Sequence, residues 1–521
     1  MTEYLKVHSS EIVTLKPVLL YDSRPAGAGK TYAECESIVQ EAGRYVFAVE
    51  PLTAITEHRA TLEKMAERIG SRVKLVELSS SDPSTKATKS RSVKVQIEAL
   101  PGTYGAGHVI ALVTHAGLMN ADLSNFDGWT LVIDEVPSIF ESKAVVSGLS
   151  WPVLKTHFHI IQGDELNTVM SSEASRATNF DFSRDSMAAA LATFHRRVSG
   201  EQYDVYTDVS EWDRLAVEPN WRWSSFWSPV KLQAFRSVKI LAHGFDRSLT
   251  FAAFQARHPG LVWCRDERPA TRTFARRKMA IHFFARGHRA SRGLFDTVTG
   301  KGYLQKVARW IKRDLDGEEQ IWTCNDADRK SLNLMSGLRL SPRQAGSNRY
   351  QAIHAVSAIY TAKPDPAECQ VLETFGIDTN TAIATREYET VYQFIGRSSV
   401  RDALSTRDVR VFVYIDQPED DLDNRVIMDI AKLLQKAKRR RQLVFATHNP
   451  NFVVNGDADK IIVMMPGGHE AAEATASTPR ISISVDGAIE TRAVRTSVTE
   501  TMEGGEAAFA LRSRKYSFST V

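Results

Sequence analysis

Residues 18–34 read VLLYDSRPAGAGKTYAE, an apolar run, a Gly-rich turn and then Lys30 and Thr31 opening a helical pattern. A strand, a flexible turn and a helix N-terminus in that order make a phosphate cradle. Gly27 and Gly29, flanking Ala28, let main-chain N–H groups turn toward a polyphosphate. Lys30 would neutralise its charge, and the Thr31 hydroxyl would hold Mg2+. The expected ligand is therefore ATP with Mg2+, bound by Gly27, Ala28, Gly29, Lys30 and Thr31. The general pattern GxxxxGK[ST] asks for glycine at position 24, where this chain has Arg24.

A second apolar run, TLVIDEVP at 130–137, ends in Asp134 and Glu135. A parallel strand delivers such carboxylates to the C-terminal edge of its sheet, beside the phosphate turn. Asp134 is the candidate metal ligand, and Glu135 the group that orients or deprotonates an attacking water.

Between and beyond these motifs, short strands alternate with helices. PVLLYD, YVFAVE, VKLVEL, HVIALVTH and TLVIDEV form one series, and MAIHFFA, QIWTCN, AIHAVSAIY and VRVFVYID a second. This order predicts an α/β fold with two parallel-sheet domains. The expected boundaries are 1–140 for the core of a first ATP-binding domain, 236–275 for its end and 276–410 for a second domain. Residues 141–235, rich in tryptophan, are expected to be an irregular or helical insertion, and 411–521 a C-terminal α/β extension.

The motifs carry a resemblance. PAGAGKT resembles the PTGxGKT variant of superfamily 2 (DEAD/DEAH-like) helicases, with Ala26 in place of Thr, and DEVP resembles their DExx motif. FAVEPLTAITEHR and ALVTHAGL resemble the next two motifs in the correct order, which puts Pro51, Thr53, Thr114 and His115 near a nucleic-acid backbone. VKILAHGF, with His243, stands where a SAT motif is usual. SPRQAGSNRYQAIHAV resembles motif V, with Gly346 and Asn348 as contacts, and YQFIGRSSVRD resembles motif VI. In that family a QxxGRxxR segment sends arginines across an interdomain cleft to the γ-phosphate. Gln393, Gly396 and Arg397 fit it, but the final arginine is displaced by one place, from Val400 to Arg401. Over about residues 15–405 the resemblance implies two RecA-like P-loop domains, ATP hydrolysis involving Lys30, Glu135, Arg397 and Arg401, and DNA or RNA as partner.

The remaining segment, about 409–517, resembles the end of the TrlF-family AAA-like and ABC/SMC-like ATPases. VFVYIDQPEDDLDN, THNPNFVV and EGGEAAFALRSRKY carry the likeness, which implies roles for Asp416, Glu419 and His448 at a second nucleotide. No second phosphate turn precedes Asp416. The segment then reads as a remnant packed on the motor, as half of a site completed by a second protein chain, or as a fusion.

Bulk composition is ordinary, with 43% hydrophobic and 25% charged residues, so the chain is globular. A net charge of +4 makes no global demand for a polyanion, and any nucleic-acid surface must be local. The four cysteines form no CxxC pair, which argues against a disulfide framework. No membrane-length apolar run and no secretory layout at the start are present, so a cytoplasmic location is expected. Two alternatives share these motifs: a TrlF- or SMC-like ATPase of DNA metabolism or defence, and a nucleotide-gated binding protein with weak hydrolysis.

Overall fold

A strand buried on both faces and followed by a helix must cross over to a parallel neighbour. The computed structural model follows this rule in two places. It describes residues 17–50, 52–79, 92–173, 175–184, 188–266, 268, 274–284, 290–342, 349–414, most of 431–439, 453–466 and 481–503.

The first series supplies β1 (Val18–Asp22), β2 (Arg44–Val49), β3 (Lys74–Leu78), β4 (Val109–Thr114) and β5 (Trp129–Asp134). Helix α1 (Lys30–Gln40) follows β1, and α2 (Leu52–Ile69) follows β2. The chain then leaves through β6 (Phe140–Val146), β7 (Phe158–Ile161), β8 (Asn167–Ser171), β9 (Tyr203–Thr207) and β10 (Asn220–Trp227). It returns with β11 (Ser237–Leu241) and β12 (Trp263–Arg265). The first sheet has the order β12-β1-β11-β5-β2-β4-β3, all parallel. Its register sets Asp22, Leu241 and Asp134 side by side, so the turn after β1 and the acidic end of β5 share one edge.

The insertion carries helices, but its frame is an antiparallel sheet in the order β6-β10-β9-β8-β7. Its strands are hard to see in sequence because β10, NWRWSSFW, buries Ser224 and Ser225 among its tryptophans and so lacks polar alternation. The tryptophans are core residues. Trp212, Trp221 and Trp223 all pack on Phe194, with Trp221 at 5.2 Å. Two indoles find buried partners, Trp212 Nε1 donating to the Phe158 carbonyl and Trp221 Nε1 to Ser147 Oγ.

The second parallel sheet joins β13 (Met279–Phe284), β14 (Gln320–Cys324), β15 (Leu338–Arg339), β16 (Ala355–Ile359) and β17 (Val409–Tyr414) in the order β13-β17-β16-β14-β15. Helix Val298–Leu315 covers it with Leu304, Val307, Ala308, Ile311 and Leu315, an apolar stripe at helical spacing. The helices between Pro366 and Ile383 turn away from this sheet. Val371, Leu372, Ile377 and Ala382 belong to the core of the first domain and the insertion. Phe375 packs on Tyr206 and Phe226, both at 5.0 Å, and Arg222 of β10 pairs with Asp365 at 2.7 Å. The insertion thus grips the second half of this unit.

The chain forms two compact units that part at 414/415. In the second, β18 (Ile461–Pro466) and β19 (Ile481–Gly487) pair antiparallel beside helix Arg492–Glu503. Among the described residues no helix is long and apolar enough to cross a membrane. All four cysteines are unpaired.

Trp223 is 1% exposed. Trp223→Ala should lower unfolding stability by about 3–5 kcal/mol through the cavity it leaves, read as a fall in denaturation midpoint. An unchanged midpoint would mean that the tryptophans do not form the insertion's core.

Candidate functional site

Gly27 and Gly29 both lie at φ +81°, in the left-handed region that a side chain resists. These two turns bring the chain from β1 into α1 with Lys30 and Thr31 as its first residues. Lys30 Nζ donates to the carbonyls of Arg24 at 2.8 Å and Pro25 at 3.2 Å. Burial holds its ammonium below the ordinary lysine range, against the pull of Glu135 and Asp22. An enclosed cation whose hydrogen bonds run to carbonyls of its own loop suits an incoming anion, so the loop fits a polyphosphate.

Arg24, the residue that breaks the general glycine pattern, has a defined task. Its guanidinium clasps Asp22 with Nη2 at 2.7 Å and Nε at 3.0 Å. Both residues are buried, and the pair closes the end of β1. Burial works against the Asp22 charge, but the hydrogen bonds from Arg24 prevail and keep its carboxyl below the usual range.

Thr31 Oγ1 donates to Asp134 Oδ1 at 2.7 Å, joining the start of α1 to the end of β5. The other oxygen of Asp134 lies 3.4 Å from Nε2 of His58 on α2. Burial opposes the Asp134 charge, yet His58, Thr31 and Lys30 outweigh it and hold the carboxyl low. A hydroxyl and an ionised carboxylate in contact form the donor set a hard divalent cation takes.

Glu135 stands at φ +68°, an outlier for a residue with a side chain. Such a conformation costs of order 1 kcal/mol and persists where surroundings impose it. Burial and the Asp134 charge push its carboxyl up to about 7, while Lys30 and Arg397 pull the other way. Two neighbouring carboxylates with opposed shifts form an arrangement in which one is able to hold a cation and the other to accept a proton near neutrality.

The second half of the unit reaches this edge through helix Glu389–Ile395. A π-helical turn, Ala384–Tyr388, precedes it, and buried Glu387 anchors that turn by accepting from Thr361 Oγ1, the Ala362 N–H and Lys363 Nζ. Gln393 Nε2 donates to Glu389 Oε1 at 2.9 Å and lies 3.3 Å from Glu135 Oε2. Arg397 is buried, and the carboxylates that favour its charge most are Glu135 and then Asp134. Arg401, displaced by one place in sequence, still meets the phosphate turn. A short 3-10 turn, Ser399–Arg401, carries it there, and a β-carbon on Gly27 would sit 3.4 Å from Arg401 Cγ.

Three groups around this site have no signature in the sequence. His58 sits nearly two turns into an ordinary amphipathic helix. Tyr392, whose hydroxyl meets the main chain of Ala26, precedes Gln393. Glu389 accepts from Gln393 and from His243 Nδ1, the latter at 2.8 Å. His243 also stacks on Tyr392 at 4.5 Å, so this residue at the SAT position is an interdomain contact, not a plain turn residue. Its place in the order of motifs, where SAT is usual, is the signal that points to it.

The expected nucleic-acid contacts divide. Thr53 is exposed in the first turn of α2. Thr114 caps the helix His115–Asn120 by accepting from Gly117 N–H. His115 is a correction: it is 6% exposed, its Nε2 lies 3.0 Å from the Asp134 carbonyl, and burial drives it down to about 4. A neutral, enclosed imidazole braces β5 and cannot meet a phosphate backbone. Pro51, Gly346, Asn348, Asp416, Glu419 and His448 lie outside the described residues.

No protein-family model and no curated protein matches this chain. Solved helicase structures are among its structural neighbours. Xpd4 of S. tokodaii aligns over 78% of this chain and 93% of its own, at 10% identity and a TM-score of 0.38. RecG bound to a three-way DNA junction aligns over 79% and 41%, at 11% identity and 0.31. The Escherichia coli DEAH/RHA helicase HrpB aligns over 81% and 44%, at 10% identity and 0.30. The chain spans under half the length of the latter two.

Arg24→Gly, which restores the general glycine pattern, should destabilise the protein by about 3 kcal/mol in denaturant, because Asp22 stays buried without its partner. A neutral or stabilising outcome would refute that role for the clasp. The Glu135 shift gives a second test. A folded-state carboxyl near 7 favours the protonated form, so its contribution is present below about 4.5 and is lost as pH rises through 7. Glu135→Gln should therefore raise the melting temperature of the nucleotide-free protein at pH 8, by on the order of 2 °C, and leave it unchanged near pH 4.5. An equal effect at both pH values would contradict the burial account.

Proposed function

We propose that this chain is an ATP-driven helicase or translocase that hydrolyses ATP at the edge shared by β1 and β5 and works on DNA or RNA. The single observation that carries the reading is the 2.7 Å contact between Thr31 and Asp134, with Lys30 beside it. What makes it a motor, not a static nucleotide pocket, is the convergence of Gln393, Arg397 and Arg401 on that edge from the second parallel-sheet domain.

Bound ATP with Mg2+ would supply a γ-phosphoryl group polarised for attack by water. Lys30 and the main-chain amides of the Gly27–Gly29 turn would hold the phosphates, and Thr31 with Asp134 would hold the cation. Glu135 accepts a proton from water, with its carboxylate steered by the Gln393 amide. Arg397 and Arg401 spread charge away from the transferring group, a task for planar guanidinium groups in an enclosed site. Glu389 fixes which way Gln393 presents its N–H, and ties that choice to His243 at the end of β11. The helicase-type motif order and the two parallel sheets favour nucleic acid as the partner that closing and opening this cleft would move.

Steady-state ATP turnover with and without single-stranded and duplex DNA and RNA checks this. Turnover should rise several-fold with a polynucleotide. Lys30→Ala and Glu135→Gln should each cost at least about 100-fold in kcat, with ATP binding retained in Glu135→Gln. Arg397→Ala should lower kcat more than it raises KM. Full turnover in Lys30→Ala, or none of the four polymers stimulating the wild type, would overturn the proposal.

A further inference from the structure

The insertion has so far appeared only as a packed domain with no chemistry of its own. One cleft changes that. A cavity of about 660 Å³ opens between the first domain and the insertion, with Lys94, Thr114 and Asn120 on one wall and Thr178, Arg196 and Ser199 on the other. Two cations line it and no carboxylate does.

Its donors are not equivalent. Thr114 caps its own helix, Asn120 Nδ2 donates to the Ala116 carbonyl, and Thr178 Oγ1 donates to Asp181. Ser199 Oγ is engaged with His195 Nε2 at 3.1 Å. Lys94 and Arg196 are the lysine and the arginine of this lining: Lys94 has only a loose 3.8 Å contact with Glu98, and Arg196 makes no ion pair among the described residues. The floor between them is built from small and aliphatic residues. Gly117 permits it, since a β-carbon there would meet Ile97 at 3.1 Å and Val93 at 3.3 Å. No Phe, Tyr or Trp lines the cleft, and the His195 ring is stacked on Phe182, so the cleft offers grip on a backbone more than stacking of bases.

The cleft also lies at the working edge of the first sheet. Thr114 ends β4 in register with Val49 of β2, and the neighbouring pair Ala48 and Ile133 leads directly to Asp134. We infer that this cleft holds one strand of a polynucleotide, with phosphates shared between Lys94 of the first domain and Arg196 of the insertion. The insertion is then a clamp that closes over the strand. This rests on the helicase reading above and adds a second wall to it. An acidic protein segment would satisfy the same two cations, and the experiment separates that occupant from a nucleic acid.

The test uses the full chain and fluorescence anisotropy with labelled oligo-dT and oligo-rU across a salt series. Neutralising a phosphate contact on a single strand flattens log K against log salt by about 0.7. Lys94→Ala and Arg196→Ala should each flatten the slope by about that amount, and the double variant by about 1.4, with affinity reduced roughly tenfold. Arg196→Lys should keep the slope. ATP turnover without polynucleotide should be unchanged in all of them, which also shows that they are folded. Wild-type slope and affinity in the double variant would overturn this inference while leaving the helicase reading standing. Failure of the wild type to bind any oligonucleotide would remove both. Binding of a polyglutamate peptide as tightly as oligo-dT, lost in the same variants, would assign the cleft to a protein partner and overturn it too.

Discussion

A hydroxyl at the start of α1 and a carboxylate at the end of β5, 103 residues apart in the chain, meet at 2.7 Å, and the rest of the working edge is arranged around that contact. It requires β1 and β5 to end level, which the in-register β11 between them enforces. It requires Gly27 and Gly29 at positive φ, so that the chain reverses within a few residues. It also requires Asp134 to stay charged while enclosed, which His58, Thr31 and Lys30 provide together. The cost appears next door, where Glu135 is left with a strained backbone and a carboxyl that resists ionisation.

The first domain's half of this site was legible because its chemistry is local. Lys30 and Thr31 are adjacent, Asp134 closes an apolar run, and a parallel sheet has one edge to which such groups go. Arg24 looked like a flaw, and its reason lay two residues away in Asp22, a pairing that a glycine pattern cannot express. His115 looked like a surface contact because it follows a strand, but the helix it begins folds it under Asp134. His58 and Glu389 left no trace in sequence, since their meaning depends on partners 76 and on 146 positions away. The insertion's sheet left little trace in sequence for a related reason. Its sheet buries tryptophan and serine together, so neither the period of a strand nor that of a helix stands out.

Contacts of two kinds bind the domains to each other. At the working edge, His243, Glu389, Gln393 and Glu135 form a chain of hydrogen bonds from β11 through the second domain and back to β5. Away from it, the insertion packs Tyr206 and Phe226 against Phe375 and pairs Arg222 with Asp365. The aromatic part of that contact is indifferent to nucleotide charge, whereas the polar chain is sensitive to it.

The central claim is that Thr31 and Asp134 together receive the cation of a bound nucleotide. Electron paramagnetic resonance of Mn2+, titrated into the protein with a non-hydrolysable ATP analogue, measures this directly. One nucleotide-dependent Mn2+ per chain is expected in the wild type, and its loss in Asp134→Ala and its marked weakening in Thr31→Ala. Undiminished Mn2+ uptake in both variants, or uptake in the wild type that ignores the nucleotide, would contradict it.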